Sequence, residues 1–567
     1  MVRIEKGPAA PWQPQNGARN GSSAGATARG GVYCPPQVTR YDDDRPPEPT
    51  DPSPPSIWLD PASPGTALRH GTALLVVSLA TAGFAVAFRG AASAFYEHAF
   101  GAGDVVASFQ RLPRALRVVT VTVGATLAGL VGLVSARGGG SQGVGGVMEA
   151  VALGTGRISM RASLRRAVGC WMAIVTGSSI GREGPIIQVG GAIGGAIATR
   201  TRMSPDRARV LIAAGTAAGF AAAYNTPLAA VLFVLEIVTS VVTVDVVLAT
   251  VLATAASTAV TRIAIGGGPI YGQRAFSLGS DADLALYLVL GALAGVVGAG
   301  FSTLLSASER LFARRGARPP LAQAIGGVAV GGIAVFLPQV TGNGYEAING
   351  ILGGAFALEA LLVLLVAKAV ATGASVGSGI PGGAFTPSLF LGAALGGSFG
   401  DVWKLASPSH ASAVGACALV GMAALCAATT HAPLMAPVLV FELSGDYSIV
   451  LPLLVATGTA TVVSKRIRPS SVYMEEIERR GAGWDMTWSG RRVRGRTPPE
   501  RGGLVGPDRK EPIRSGATVR AVRSVPGGTP RRSKVGAAAG LGHERYVHGL
   551  TGDPATGKNV GETEFPY

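Results

Sequence analysis

The feature that most constrains this chain is a glycine-rich break that interrupts apolar sequence twice. The segment GSSIGREGPIIQVGGAIGG begins at Gly177, and GIPGGAFTPSLFLGAALGG begins at Gly379. An offset of 202 residues (379 minus 177) pairs Gly181 with Gly383 and keeps a proline and several glycines in phase. An order-preserving internal similarity of this kind predicts a chain built from two related halves.

A second repeated block follows each break. NTPLAAVLFVLE (225–236) matches HAPLMAPVLVFE (431–442) at an offset of 206 residues (431 minus 225). The match pairs Glu236 with Glu442. Chance similarity among Gly- and Ala-rich segments is the alternative, but two blocks that recur in the same order favour a true repeat.

Composition places these halves in a lipid bilayer. Of the 567 residues, 48% are hydrophobic and only 14% are charged, which is less charge than a soluble domain of this length carries. Four runs approach the ~20 apolar residues that span a bilayer as a helix, namely 74–96, 115–136, 284–305 and 321–340. The segments after the breaks, such as 183–198 and 383–398, are shorter. Short interrupted segments at matching positions of two halves indicate a transport site in an all-α polytopic membrane protein.

Charge and proline content divide the chain into three regions. Residues 1–70 and 481–567 are rich in Pro, Gly and charge and are predicted to be disordered tails around a membrane domain at 71–480, whose halves are roughly 71–265 and 284–480. We expect no cleaved signal peptide and no nucleotide-sensing CBS pair. The net charge of +16 comes largely from loops and the last region, which predicts cytoplasmic tails at a bacterial inner membrane rather than nucleic-acid binding.

Each break has the chemistry of an anion site. The first turn of a helix leaves backbone N–H groups unpaired and carries a partial positive charge, and glycines allow the backbone to approach a ligand closely. GREGP (181–185) adds Arg182, Glu183 and Gly184. The Glu183 carboxylate could occupy the anion site and leave it on protonation, which would make it a gate; a simple helix-capping glutamate is the alternative.

The motifs occur in the order GREGPIIQVGGAIG, YNTPLAAVLFVLE, GNGYEAINGIL, GSGIPGGAFTPSLFLGAALGG and HAPLMAPVLVFELSGDY. With these motifs in this order, residues 71 to about 480 resemble the CLC family of chloride channels and chloride–proton antiporters. The resemblance implies an inverted repeat of about eighteen helices of mixed length. It also implies a homodimer with one pore in each subunit, joined through segments near 226–262 and 431–463. We expect chloride or a similar small anion as the transported ligand, and no cofactor.

The resemblance also assigns site residues. It implies that Glu183 is the gating glutamate, that the backbone N–H groups of Ala384 and Phe385 bind the anion, and that the Tyr473 hydroxyl meets it. The family's GSGIP segment is replaced here by SQGVG (141–145), which places Ser141 and Gln142 as side-chain anion ligands and leaves selectivity among chloride, nitrate and fluoride open.

A second departure concerns proton coupling. Exchangers of this family carry a glutamate where this chain has Ile237, directly after Glu236. Because isoleucine cannot relay a proton, we expect channel-like or uncoupled transport, with chloride–proton antiport as the alternative. An intramembrane enzyme is a further alternative that we do not expect, since His431 is the only histidine near a repeated motif and no paired nucleophile accompanies it.

Overall fold

The computed structural model describes residues 64–136, 143–153, 158–272, 284–314, 320–406, 413–478, 483–487 and 490–494. Most of both predicted tails therefore lies outside the described residues, and the structure differs from the sequence prediction where it reaches into them. The first helix begins at Pro64 rather than near residue 71, which suits proline because its missing N–H is not needed in a first turn. A two-stranded antiparallel hairpin, β1 (Gly483–Thr487) and β2 (Gly490–Arg494), lies at the start of the region predicted to be disordered.

The first half of the membrane domain contains nine helices among the described residues. Its long helices alternate with short ones, as the interrupted apolar runs predict, and a π-helical turn at Val234–Thr239 extends the eighth. The helices are α1 (Pro64–Phe100), α2 (Val105–Arg111), α3 (Arg114–Ala136), α4 (Gly143–Leu153), α5 (Met160–Val175), α6 (Glu183–Arg200), α7 (Pro205–Tyr224), α8 (Pro227–Phe233) and α9 (Val244–Ile265).

The second half also has nine helices in its described part, so the total of eighteen agrees with the resemblance. The expected span 321–340 is wrong at its end, since Pro338 cannot continue the helix and a 3₁₀ turn follows. The helices are α10 (Leu284–Arg314), α11 (Leu321–Phe336), α12 (Tyr345–Leu352), α13 (Leu358–Gly377), α14 (Phe385–Ala406), α15 (Ala413–Thr430), α16 (Met435–Ser444), α17 (Val450–Ile467) and α18 (Val472–Glu478).

Helices with exposed apolar faces differ from helices that are mostly buried. Six helical segments of the described chain are long and apolar enough to cross a membrane. One of them, α3, exposes a stripe of large apolar side chains at helical spacing, including Leu116, Val119, Val123 and Leu127. Because such a surface is favourable in lipid and not in water, the exposed stripe marks a bilayer-facing wall. The helices that follow the two breaks, α6 and α14, are instead mostly buried.

Glycines allow each of these buried helices to touch its neighbour through the backbone. A Cβ on Gly190 of α6 would lie 2.2 Å from the carbonyl oxygen of Gly215 on α7. In the second half a Cβ on Gly392 of α14 would lie 2.3 Å from the carbonyl oxygen of Gly421 on α15. The two crossings occupy matching positions of the repeat, as expected for helices packed through small residues in a membrane.

Two glutamates show how the halves are related. The carboxylate of Glu236 accepts hydrogen bonds from the N–H groups of Leu434 (3.2 Å) and Met435 (2.8 Å) in the second half. Glu442 accepts from the N–H groups of Leu228 (3.0 Å) and Ala229 (2.8 Å) in the first half. Each half therefore caps a helix of the other through equivalent atoms, which requires an approximate twofold relation. The halves form an inverted repeat, and both glutamates have a structural role.

Candidate functional site

The two repeated breaks meet in the interior of the protein. The N–H of Gly181 donates to the carbonyl oxygen of Gly383 at 2.7 Å, and the N–H of Gly383 donates to that of Gly181 at 3.0 Å. This reciprocal pair joins the loop before α6 to the loop before α14, so that the first turns of the two helices approach each other.

Glu183 fills the junction. Its side chain is 1% exposed, and its carboxylate accepts a hydrogen bond from the Thr386 hydroxyl at 2.8 Å and another from the Thr386 N–H at 3.3 Å. Thr386 lies in the first turn of α14, so the carboxylate of one half is bound at the helix start of the other half. A negative group is stabilised there by the orphan amides and the helix dipole.

A cavity of ≈ 360 Å³ reaches Glu183 from one side, and we call it the tyrosine cavity. Its wall includes Tyr473, whose ring stands edge-on to that of Phe233 with centroids 6.4 Å apart. Gly184 and Ala384 also line it. Three predicted anion-site residues thus share one polar space with the gate residue.

A second cavity, of ≈ 260 Å³, contains Arg182, and we call it the arginine cavity. The Arg182 guanidinium lies over the Tyr345 ring, 4.9 Å from its centroid. Arg89 of α1 adds a second cation to the same wall. The adjacent residues 182 and 183 therefore line different cavities.

The remaining predicted ligands are placed differently. Phe385 is 4% exposed, and its ring packs among those of Phe220 and Tyr224, so only its backbone could serve an anion. Ser141 and Gln142 lie outside the described residues. The next residue, Gly143, donates its N–H to the Gln188 side-chain oxygen at 2.8 Å.

Three polar contacts at the site were missed by sequence reasoning. Thr386 binds the gate carboxylate, the Tyr224 hydroxyl lies 2.9 Å from the Thr386 hydroxyl, and Gln188 binds Gly143 across 45 residues of sequence. Each is a polar residue inside or beside an apolar run of a quoted motif. That signal indicates a satisfied buried group in general but does not identify the partner.

Position 237 lines neither cavity. Ile237 is 4% exposed and belongs to the apolar core of the membrane domain. The lining of the tyrosine cavity does not include it. An apolar side chain at this place therefore fills core volume.

Comparison with known proteins gives a consistent result. The family model described as Voltage gated chloride channel matches residues 123–465. A ClcB-like protein of Ralstonia nicotianae is 36% identical over 66% of this chain and 88% of its own length. The voltage-gated ClC-type chloride channel ClcB of Citrobacter koseri is 32% identical over 56% of this chain and 77% of its own length. Among solved structures, a slow cyanobacterial chloride–proton antiporter is similar with a TM-score of 0.65 and 26% identity, over 72% of this chain and 97% of that one.

Proposed function

The chain belongs to the family of voltage-gated chloride channels, and from this premise we propose that it carries chloride across a membrane by an uncoupled, channel-like route gated by Glu183. The observation that carries the proposal is the position of the Glu183 carboxylate at the first turn of α14. A carboxylate and a chloride ion are alternative occupants of such a site, since both are stabilised by the same amides.

Protonation supplies the switch. A neutral Glu183 loses the attraction of the helix start and its charge-assisted hydrogen bonds to Thr386. The side chain then leaves, and an anion can pass between the tyrosine cavity and the arginine cavity. Acid and high anion concentration should both open the route, the first by neutralising the carboxylate and the second by competing with it.

Uncoupled transport is supported by the placement of Ile237. A proton that reached Glu183 from the tyrosine cavity would find no titratable group at position 237, where the side chain lies in apolar core. The second candidate function is chloride–proton exchange. The similarity to the cyanobacterial antiporter favours it, as do the glutamates that line the tyrosine cavity.

We further propose that the tyrosine cavity faces the cytoplasm. Its wall includes Arg166 and Glu309, which lie in or beside the basic segments 156–166 and 310–318, and basic segments mark the cytoplasmic side. The arginine cavity includes Ile270, from the segment 264–283, whose sequence has Arg274 as its one cation and also contains Asp281 and Asp283, as is typical of the opposite face. This orientation would place both tails of the chain in the cytoplasm of a bacterial inner membrane.

A homodimer is the proposed assembly. The repeat partners Leu228 and Leu434 are 57% and 58% exposed at the starts of equivalent segments. Segments 226–262 and 431–463, which the resemblance assigns to the interface, thus offer a self-complementary apolar face. Light scattering of the purified protein in detergent should give twice the chain mass, and a monomer mass would contradict the assembly.

Chloride efflux from proteoliposomes tests the proposed function, with proton movement recorded at the same time. The uncoupled route predicts chloride efflux down its gradient with no proton uptake at fixed stoichiometry. Proton movement coupled to a chloride gradient would establish the second candidate instead. Efflux of fluoride or nitrate without chloride would reassign the anion, and absence of all three would overturn the proposed function.

A further inference from the structure

The tyrosine cavity has an unexpected charge pattern for a passage that takes anions. Besides Glu183, three glutamates line it, and Arg166 is the only basic residue among the described residues of its wall. One of the three, Glu475, accepts hydrogen bonds from the Arg468 guanidinium and from the Ser306 hydroxyl. The other two are Glu309 on α10 and Glu476 on α18.

Glu476 is placed against the start of another helix. A Cβ on Gly145, in the first turn of α4, would lie 3.3 Å from Oε2 of Glu476 and 3.4 Å from its carboxyl carbon. Those distances are close contact, so the carboxylate rests on α4 where a side chain is missing. Gly145 is the residue that replaces the family's proline in SQGVG, the motif departure that the proposed function leaves unexplained.

The setting of this carboxylate parallels that of Glu183. Each lies in the tyrosine cavity beside the first turn of a helix to which it does not belong: Glu183 is hydrogen-bonded at α14, and Glu476 lies in close contact with α4. A helix start attracts a negative group. At α4 the Gly143 N–H is already engaged by Gln188, so the carboxylate and an incoming anion compete for a limited set of positive partners.

We propose that Glu476 is a second gating residue, which occupies the start of α4 at the tyrosine-cavity end of the pathway, and that Gly145 provides the space for it. When charged, the Glu476 carboxylate repels an anion and occupies the position beside α4 that the anion would take. When protonated, it leaves that position. The chain thus has an acid-sensitive gate at each of two helix starts. The inference deepens the proposed function and rests on it.

Other charges near Glu476 bear on its titration. Arg166 of α5 faces the same first turn of α4, since one of its guanidinium nitrogens lies 3.6 Å from a Cβ built on Gly143. Glu183, Glu309, Glu475 and Tyr473 share the cavity, and Arg468 is paired with Glu475. Strand β2, which has three arginines in its sequence, packs against α4. Helix α15 packs against α18 and contains no charged residue.

Neutralising Glu476 in the full-length protein tests the proposal. Glu476→Gln should raise chloride efflux from proteoliposomes near pH 7.5 by roughly three- to tenfold, since a like charge at a few ångströms opposes the anion, and should make the acid activation of efflux shallower. Glu478→Gln is the matched control: it removes the same charge from the same helix, but Glu478 is exposed and bonded to Ser470. It should behave as the native protein.

A second variant tests the contact between Glu476 and α4 by changing Gly145 instead. Gly145→Ala places a Cβ 3.3 Å from Oε2 of Glu476, so the carboxylate must shift by a few tenths of an ångström. Efflux should rise in the same direction as in Glu476→Gln but by less, with no further gain when the two substitutions are combined. Equal efflux and equal pH profiles for the native protein, Glu476→Gln, Gly145→Ala and Glu478→Gln would overturn the second gate while leaving the proposed function intact. Absence of chloride efflux from native protein would instead overturn the proposed function.

Discussion

Two contacts between the repeat halves differ in how far they keep the symmetry. In the glutamate exchange, Glu236 and Glu442 are equivalent residues that bind equivalent amides. At the junction of the breaks, the backbone pair of Gly181 and Gly383 is also reciprocal, but the side chains are not. The position equivalent to Glu183 (183 plus 202) is Phe385, which packs with aromatic rings.

The difference has a physical reason. A structural contact repeated by a twofold relation stabilises both halves equally, so nothing favours breaking its symmetry. One point on the path of an ion can hold only one removable carboxylate, because two carboxylates facing each other there would repel strongly. We therefore interpret the symmetric contacts as structural. We interpret Glu183, the asymmetric residue at a symmetric junction, as functional.

The largest expected effect comes from breaking a symmetric backbone crossing. Gly190→Leu places a side chain where a Cβ alone would lie 2.2 Å from the Gly215 carbonyl oxygen, and Gly392→Leu does the same at Gly421. Each should destabilise the fold by about 4 kcal/mol or more, seen as loss of a monodisperse peak in size-exclusion chromatography. Gly300→Leu, at an exposed position of α10 with nothing nearby, is the control. Tolerance of Gly190→Leu would show that α6 and α7 are not packed this closely.

Removal of either exchanged glutamate should have the next largest effect. Glu236→Ala and Glu442→Ala each leave two helix-start N–H groups without their charged acceptor, at a cost of about 2–4 kcal/mol. Thermal unfolding in detergent should show similar decreases in Tm for the two variants. Chloride efflux per folded protein should stay near native. A large decrease for one variant only, or loss of efflux at native stability, would contradict the structural interpretation.

The asymmetric residue should change transport rather than stability. Glu183→Gln removes charge-assisted hydrogen bonds of about 1.5–3 kcal/mol at the start of α14, so efflux at neutral pH should rise roughly tenfold. Because glutamine does not titrate, the acid activation assigned to Glu183 should also be lost. Glu359→Gln, an exposed carboxylate in the first turn of α13, controls for charge. An unchanged pH profile in Glu183→Gln would argue against the gate.

The smallest predicted effect comes from the partner of the gate. Thr386→Val keeps the side-chain shape and the backbone N–H bond to Glu183 but removes the 2.8 Å hydroxyl bond. A hydrogen bond donated to a carboxylate favours its charged form, so its loss should move acid activation to higher pH and raise neutral-pH efflux by about two- to threefold. Thr386→Ser, which retains the hydroxyl, should match the native profile. A shift of both variants together would point to packing rather than hydrogen bonding.

The sequence predicted those features that depend on local chemistry. Apolar runs and glycine-rich breaks predicted the membrane domain, the repeat and the anion-site chemistry of the two breaks, and the resemblance to the CLC family implied about eighteen helices of mixed length. The prediction was wrong where helix α11 stops before Pro338, a boundary that residue 338 itself signals. The placement of α1 from Pro64 and of the hairpin at 483–494 also differed from the expected tails.

Only the tertiary structure decided which groups meet across the repeat. Nothing local to GREGP shows that the Glu183 carboxylate binds Thr386 of the other half. The same holds for the exchange of Glu236 and Glu442 and for the contact of Glu476 with Gly145. Helix ends are determined by a few neighbouring residues, whereas the partner of a helix end is determined by how distant helices pack, and that is a property of the whole membrane domain.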